Sequence, residues 1–344
     1  MTPDDHKDLM GRAADASIYY PEYRYKVWGY GEWIAIEGLL SAARICGKAR
    51  YLGFVEGLVR GWISRRDQLV PADHLAPGVA LTELYKLTGQ EEFMDRAIAV
   101  ARLILTAPRS SRGARLCRPD VDRRAWVDCI YSDPPLFTRL GLLTGDAAWF
   151  SEAVAYTLEL WDLLADSELP LLYHGYDDDT QSHLGLLWGR GVGWALLGMV
   201  DTLADLPARV AGREALLANM SGLVDTLRAL QAPDGNWHTV LNEPTSCLES
   251  SIAAFAFVSL HKAMRVGLLD ESFAEAARKS WSALMKAVRP DGTIPVSEAT
   301  APGDLKYYNS LRTSVYPWGQ GPLLRALEEH TMSRATGSHR IEPK

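Results

Sequence analysis

The sequence predicts an all-α fold in which helical hairpins close into a barrel. A phrase of apolar and polar residues recurs roughly every 40–60 residues, and such internal repeats are typical of stacked or circularised helical architectures. Segments typical of β-strands are few, and the best candidate is the short run 238–241. The linkers between hairpins are long and rich in Trp, Gly, Asp and His. We therefore favour a closed barrel with a pocket in its loops over an open solenoid.

Each hairpin is predicted from apolar residues spaced three and four apart, which is the period of a buried helix face. The clearest copies run from Leu81 to Gly89 and from Leu136 to Gly145, and an Ala-containing helical stretch follows each. Two looser copies turn at Gly47 and near Gly267. Glycine fits these helix ends because it adopts the left-handed conformation at the least cost.

The composition predicts a single globular domain over residues 1–344, with a loosely held polar tail from about residue 334. No apolar run approaches the roughly 20 residues needed to cross a bilayer, and the first residues are polar, so we expect a cytoplasmic protein without membrane contact.

The net charge of -7 and the pI of about 5.7 argue against nucleic-acid binding. The four cysteines are scattered and are expected to be free thiols, and a monomer and a homodimer both remain open.

Two aspartates stand out in the linkers. Asp73 precedes a hairpin and is interpreted either as a helix cap or as an active-site residue. Asp128 lies among apolar residues next to Trp126, and a carboxyl group in such surroundings has a raised pKa, as a general acid requires. The alternative is a hydrogen-bonded structural aspartate. Asp133, before two prolines, is interpreted as a helix cap.

Two further segments could bind a ligand. His174 lies in a loop between Tyr and Gly, and it is either a site residue or a loop histidine bonded to the backbone. The acidic run 177–179 lacks the alternating spacing of a calcium loop, so we expect no metal there. Residues 188–194 are interpreted as a glycine-rich loop whose Arg190 offers a planar fork of donors to a carboxylate, or else as a turn with a solvent-facing arginine.

Tryptophan is abundant, with eleven residues, and several stand next to Gly, Asp or His. Indole rings offer flat apolar faces that suit the C–H faces of sugars. Any one of them could equally fill a large helical core. As a group, we expect them to line a sugar site; those assigned to it are Trp28, Trp126, Trp188 and Trp194.

Taken together, these segments resemble the unsaturated uronyl hydrolases of glycoside hydrolase families 88 and 105, and most closely the unsaturated rhamnogalacturonyl hydrolases of family 105. The resemblance rests on the runs Trp-Val-Asp-Cys-Ile-Tyr, Leu-Leu-Thr-Gly-Asp, Tyr-His-Gly-Tyr-Asp and Trp-Gly-Arg-Gly-Val-Gly-Trp, which occur in the family's order. It extends over roughly residues 25–328, with later similarity at 231–237, 248–251 and 318–322.

The resemblance implies an (α/α)6 barrel and a substrate that ends in a 4,5-unsaturated uronic acid, such as an unsaturated galacturonyl-rhamnose oligosaccharide released by a lyase. It implies that an acid protonates C4, that water adds at C5, and that the resulting hemiketal collapses and releases the neighbouring sugar. Asp128 matches the general acid/base, and Asp73 matches a second acidic residue that positions the substrate or water. No metal or organic cofactor is needed.

The resemblance also implies that His174, Arg190, Trp126 and Trp194 bind the substrate, and a looser match places Arg118 where the family often has Lys. Three departures bear on substrate choice; they are Ser132 in place of Met, Tyr176 in place of Trp, and Val192 in place of Asn. Two alternatives remain, namely a sugar epimerase on the same barrel, which would use paired histidines, and a catalytically silent sugar-binding protein.

Overall fold

The computed structural model describes residues 3–21, 23–25, 28–65, 67–116 and 123–336. These residues form fourteen α-helices and seven short strands. The helices are α1 (Pro3–Ile18), α2 (Glu32–Cys46), α3 (Ala49–Ile63), α4 (Gly78–Thr88), α5 (Glu91–Leu105), α6 (Cys129–Ser132), α7 (Pro134–Thr144), α8 (Ala148–Leu164), α9 (Gly189–Asp205), α10 (Arg213–Leu230), α11 (Ser250–Arg265), α12 (Ala274–Ala287), α13 (Leu305–Asn309) and α14 (Pro317–Thr336).

Six of these helices form an inner ring. Helix α2 contacts α4, and the contacts continue through α7, α9 and α11 to α14, which packs against α2 and closes the ring. Helices α3, α5, α8, α10, α12 and α1 lie outside, each against an inner helix. The inner helices α9 and α11 are buried almost all round, whereas an outer helix such as α10 buries a single stripe. The predicted all-α barrel of six hairpins is therefore confirmed.

The strands are short and lie in the loops. Strands β1 (Arg124–Trp126), β2 (Gly175–Asp177) and β3 (Ser182–Leu184) form one antiparallel sheet. Strands β4 (Trp237–His238) and β5 (Leu248–Glu249) form a pair, as do β6 (Pro295–Ser297) and β7 (Thr313–Val315). The strand predicted at 238–241 is thus limited to its first residue, with Trp237 before it.

All four hairpins predicted from the repeated phrase are present. Their turns contain Gly47, Gly89, Gly145 and Gly267, whose φ angles lie between 64° and 76°. This is the left-handed region that the sequence argument assigned to these glycines. Of the other two hairpins, α9 and α10 follow each other in sequence, whereas α14 pairs with α1 and so joins the two ends of the described chain.

The glycine-rich segment 188–194 differs from its prediction. Instead of a loop, it is the start of α9. A Cβ atom on Gly191 would lie 2.6 Å from Val127 Cγ1, and one on Gly193 would lie 3.0 Å from Phe255 Cβ. These glycines therefore allow the helix to approach its neighbours closely.

Helix α14 continues to Thr336, and the loosely held polar tail predicted from about residue 334 stays a prediction. Residues 337–344 lie outside the described part of the chain. None of the helices within that part combines enough length with enough apolar character to cross a membrane.

Candidate active site

The loops that lead into the inner helices meet at one end of the barrel and surround a cavity of about 440 Å³. Tyr30 and Trp33 lie at the N-terminal end of α2, and Asp128 and Cys129 lie at the start of α6. The partial positive charge at such helix ends favours anionic ligands. The residues that line the cavity are Tyr30, Trp33, Leu75, Arg124, Trp126, Asp128, Cys129, His174, Ala299, Thr300, Ala301 and Pro302.

Asp128 lies at the floor of this cavity, between β1 and α6, and only 7% of the residue is exposed. Burial raises the pKa of its carboxyl group to about 7, because the charged form loses hydration. The positive charge of Arg190 and a hydrogen bond from the Tyr30 hydroxyl to Oδ1, at 3.3 Å, act in the opposite direction. Near neutral pH the group can therefore carry a proton and donate it.

Tyr30 connects this carboxyl group to the aromatic core. The Trp194 indole N–H donates to the Tyr30 hydroxyl at 2.7 Å, and the two rings meet edge to face. Trp194 is fully buried and also contacts Tyr131 and Phe255. The predicted site residue Trp194 thus lies behind the cavity wall and holds Tyr30, which points to Asp128.

His174 also lines the cavity, and burial and the charge of Arg190 lower its pKa to about 3. Its Nδ1 lies 2.8 Å from the Tyr308 hydroxyl, its ring stacks on Trp188 at 4.2 Å, and Trp126 approaches at 5.7 Å. The imidazole is therefore neutral at physiological pH and can exchange hydrogen bonds with a sugar hydroxyl.

Arg190 is fully buried and does not line the cavity. Its guanidinium donates to Glu249 at 2.5 Å, to the carbonyl and hydroxyl oxygens of Ser297, to the Glu298 carbonyl oxygen, and to the Thr300 hydroxyl at 2.8 Å. These bonds fix the segment that forms one wall of the cavity. Direct pairing of Arg190 with a substrate carboxylate stays a prediction.

Asp73 is also buried, next to the cavity rather than in it. It lies within the 3-10 helix Pro71–Leu75, and its carboxylate accepts hydrogen bonds from the Trp62 indole at 3.0 Å and from the Val70 N–H at 2.8 Å. It therefore orders the segment that brings Leu75 to the cavity. Contact with substrate or water stays a prediction.

The remaining predicted aromatic residues divide into two groups. Trp126 lines the cavity, whereas Trp188 is buried behind His174. Trp28 packs edge to face on Trp62 at 5.4 Å and is not among the cavity residues. Arg118 lies outside the described residues, so its predicted role stays a prediction.

Asp133 is not a side-chain cap, contrary to the prediction. It occupies the residue before α7 but makes no capping bond. Of the two N–H groups that a cap side chain could bond, Pro135 lacks one, and the N–H of Leu136 donates to the Asp133 carbonyl oxygen at 3.0 Å. Its carboxyl group instead accepts from the hydroxyls of Ser132 and Tyr156, and burial raises its pKa to about 6.

The sequence reasoning missed Tyr30, Trp33, Arg124 and the wall 299–302. A signal existed for Arg124, because it alternates with Trp126 on a short strand and two such residues share a face. Tyr30 lies two residues after Trp28 in a segment rich in aromatic residues. The prediction of Trp28 therefore identified the segment that reaches the cavity but not the residue that lines it. The wall is built from small residues that carry no chemical signature.

Comparison with known proteins adds four findings. The protein-family model described as Glycosyl Hydrolase Family 88 matches residues 8–334 of this chain. The unsaturated rhamnogalacturonyl hydrolase YesR of Bacillus subtilis is 27% identical over 321 residues, which cover 88% of this chain and 89% of that protein. A solved structure of a possible GH105 family member from Klebsiella pneumoniae has a TM-score of 0.87 at 20% identity, and the alignment covers 97% of this chain and 94% of that one.

The solved unsaturated glucuronyl hydrolase of Bacillus sp. GL1, described as responsible for the degradation of glycosaminoglycan, aligns with a TM-score of 0.72 at 18% identity. The alignment covers 94% of this chain and 95% of that one. At such identities the two solved structures show a shared fold.

Proposed function

The chain belongs to glycoside hydrolase family 88, and on this premise we propose that it removes a terminal 4,5-unsaturated uronic acid from short oligosaccharides by hydrating the double bond. The observation that carries the proposal is the buried Asp128 carboxyl group at the floor of a cavity large enough for a disaccharide. Its raised pKa keeps a proton available at the pH at which a free aspartic acid would have lost it.

The reaction needs one proton donor and one water molecule. Protonated Asp128 gives its proton to C4 of the C4=C5 enol ether, and positive charge develops at C5 and the ring oxygen. Water adds at C5, and the Asp128 carboxylate accepts the proton that this water releases. The hemiketal at C5 then opens and the neighbouring sugar leaves, so that one water is consumed and the acid is regenerated.

The surrounding groups suit this chemistry. Trp126 offers an apolar face to the sugar ring, and neutral His174 can bond to a hydroxyl group without adding charge. Arg190 and the nearby helix N-termini give the floor a positive field that favours the uronate carboxylate. The wall held by Arg190 carries Thr300, whose hydroxyl is the polar group of that segment.

For the substrate, we propose an unsaturated galacturonyl group linked to rhamnose. The support is the similarity to YesR, which is named an unsaturated rhamnogalacturonyl hydrolase, over most of both chains. An epimerase finds less support in the site, since His174 is the one histidine among the described residues that line the cavity.

The test is the ultraviolet absorbance of the conjugated enol ether in a panel of unsaturated disaccharides from pectin, glycosaminoglycan and ulvan lyases. We expect the absorbance to disappear with at least one class, and fastest with the galacturonyl-rhamnose disaccharide. Asp128→Asn should lower the rate by at least about 100-fold, the usual scale for a positioned acid. The exposed Asp179→Asn, in the loop after β2, is the matched control and should retain the rate.

Two results would contradict the proposal. An Asp128→Asn variant with a near-normal rate would exclude Asp128 as the acid. Unchanged absorbance across the panel, with sugar binding retained, would favour the silent sugar-binding protein over the hydrolase.

A further inference from the structure

We propose that Tyr131 is a positioning residue for the acid Asp128, although it does not line the active-site cavity. Its hydroxyl group is anchored by charged residues behind the cavity, and its ring holds Trp194, which in turn holds the Tyr30 hydroxyl on Asp128. The inference rests on the proposed function, because it names a residue that sets the geometry of the same acid.

The first step is the anchor of the Tyr131 hydroxyl group. It donates to Glu37 Oε2 at 2.9 Å and accepts from the Arg325 guanidinium at 3.0 Å. Arg325 also bonds to Glu37 directly at 3.0 Å, and both residues line a second cavity of about 430 Å³, to which all six inner helices contribute. Because the hydroxyl group is used both as donor and as acceptor, its position is fixed.

The second step is the contact between Tyr131 and Trp194. Tyr131 is 2% exposed, and its ring lies 5.1 Å from that of Trp194 at an interplanar angle of 45°. Phe255 contacts the Trp194 ring at 4.5 Å. In a core packed this closely, one ring cannot shift without moving its neighbour. The position of Trp194 therefore depends on the anchor of Tyr131.

The third step is the hydrogen bond that reaches the acid. The Trp194 indole N–H donates to the Tyr30 hydroxyl at 2.7 Å, and this hydroxyl donates to Asp128 Oδ1 at 3.3 Å. The second distance exceeds the usual length of an O–H···O bond, so a small displacement of Trp194 is enough to break it. Tyr131 thereby decides how well Tyr30 stabilises the charged form of Asp128.

The charges around both ends of this route are not altered by a Tyr131→Phe substitution. Burial raises the pKa of the Tyr131 phenol, so the hydroxyl group that is removed carries no charge near neutral pH. Among the described residues, the charged and titratable groups that share the cavity of Asp128 or act on it are Tyr30, Arg124, His174, Arg190 and Tyr308. Those that act on Glu37 are Tyr131, Arg139, Asp201 and Arg325.

The experiment measures the pH dependence of kcat/KM in wild type, Tyr131→Phe, Tyr30→Phe and the double variant. Tyr131→Phe should raise the pH above which kcat/KM decreases by about 0.5–1 unit, the size of one weak hydrogen bond to a charged group. In the double variant it should add nothing to the shift caused by Tyr30→Phe, because both substitutions remove the same hydrogen bond. Below this pH, Tyr131→Phe should keep the KM of the wild type, because it does not line the cavity.

Two control variants separate this route from other effects. Glu37→Gln retains an acceptor for the Tyr131 hydroxyl and resembles the protonated acid, which is populated because burial raises the pKa of Glu37 to about 7. Tyr51→Phe removes another buried tyrosine hydroxyl, which bonds to Asp15 and to the Gly11 carbonyl oxygen on α1. Both controls should keep the wild-type pH dependence. A shift in Glu37→Gln as large as in Tyr131→Phe would assign the effect to charge and overturn the proposal.

A second readout needs no turnover. A carbon NMR titration with labelled aspartate, in which the Asp128 signal is assigned by its loss in Asp128→Asn, measures the pKa of this carboxyl group directly. If no disaccharide is hydrolysed but the titration shows the same non-additive shifts, this inference is supported and the proposed hydrolysis alone is contradicted. An unchanged Asp128 titration in Tyr131→Phe, or shifts that add in the double variant, would overturn the inference and leave the proposed hydrolysis standing.

Discussion

Asp128 and His174 line one cavity, and burial shifts their pKa values in opposite directions, to about 7 and about 3. The cause is the same for both, because a dry environment disfavours the charged form of either group. The carboxyl group therefore retains its proton and the imidazole loses its own. Two neutral polar groups at the floor suit a reaction that starts with proton transfer to carbon and passes through a cation.

The first prediction concerns the pH dependence of turnover. On the proposed role of protonated Asp128 as the proton donor, kcat/KM should fall about tenfold per pH unit above about pH 7. His174 should add no limb between pH 4 and 7, because it is already neutral there. Initial rates from pH 4 to 9 check this. If kcat/KM decreased with rising pH only near pH 4, the result would contradict Asp128 as the proton donor.

The second prediction concerns the pH at which this alkaline decrease in kcat/KM begins. The Tyr30 hydroxyl donates to Asp128 and stabilises its charged form, so Tyr30→Phe should raise the pKa of the acid and move the alkaline limb to higher pH. The matched control is Tyr25→Phe, whose hydroxyl donates to the Ser17 carbonyl oxygen away from the cavity. A limb that moves equally in both variants, or to lower pH in Tyr30→Phe, would show that Tyr30 does not act on Asp128.

The third prediction links the same acid to stability. The pKa of Asp128 is higher in the folded chain than in the unfolded chain, so the folded state binds the proton more tightly and stability falls as pH rises from about 4 to about 7. Asp128→Asn removes this loss and should raise the free energy of unfolding by about 4 kcal/mol at pH 8, because each pKa unit between about 4 and about 7 corresponds to about 1.4 kcal/mol. The gain should vanish at pH 4, and urea unfolding at both pH values measures it.

At the scale of single elements, local signals predicted the helices well because their causes are local. A left-handed glycine and an apolar period act within one hairpin, and the turns at Gly89 and Gly145 follow from them. The direction of a functional side chain is not local. Arg190 lies behind the cavity wall rather than in it, because its acceptors, Glu249 and Ser297, come from segments 59 and 107 residues further along the chain.

The close approach of α9 to α6 gives the fourth prediction. A Cβ on Gly198 would collide with the carbonyl oxygen of Ile130 and lie 2.6 Å from Tyr131 Cα, and these backbone atoms cannot yield cheaply. Gly198→Ala should therefore lower the free energy of unfolding by about 2–3 kcal/mol, the scale of overpacking in a core. The distortion falls two residues after Asp128, so activity should fall as well.

Gly53 provides the matched control for this test. It lies within α3 on the outside of the barrel, and a Cβ there would meet nothing within 4 Å. Gly53→Ala should raise the free energy of unfolding by about 0.5–1 kcal/mol, because alanine is the better helix former. Equal effects of the two substitutions in a denaturant titration would contradict close packing at Gly198.

For the molecule as a whole, the two ends of the barrel have different chemistry. One end carries the candidate active-site cavity, and the other carries a charged cavity of about 430 Å³. Arginines and lysines lie near the C-terminal ends of α2, α4 and α11, where their positive charges stabilise the negative ends of the helix dipoles. The sequence predicted a closed barrel, but the repeated phrase did not show that α14 and α1 form the closing hairpin, because these helices meet from opposite ends of the sequence.

Arg325 links three inner helices at this charged end, and its removal is the last prediction. It donates to Asp201 on α9 at 3.1 Å and to Glu37 on α2 at 3.0 Å, while Lys262 on α11 holds the other side of Asp201 at 2.6 Å. Breaking a buried ion pair leaves its partner uncompensated, so Arg325→Met should lower the free energy of unfolding by about 3 kcal/mol at pH 7.

The loss should depend on pH in a defined direction. Arg325 and Lys262 hold the pKa of Asp201 below its usual value, so this pair contributes its full stability above about pH 4 and loses it as the pH falls further. The difference between wild type and Arg325→Met should therefore shrink in acid. The exposed pair of Arg278 and Glu275 on α12 is the control, and Arg278→Met should cause no change beyond the error of a urea titration. A loss of the same size in both variants, or one that grows in acid, would mean that Arg325 does not join the inner helices through its charge.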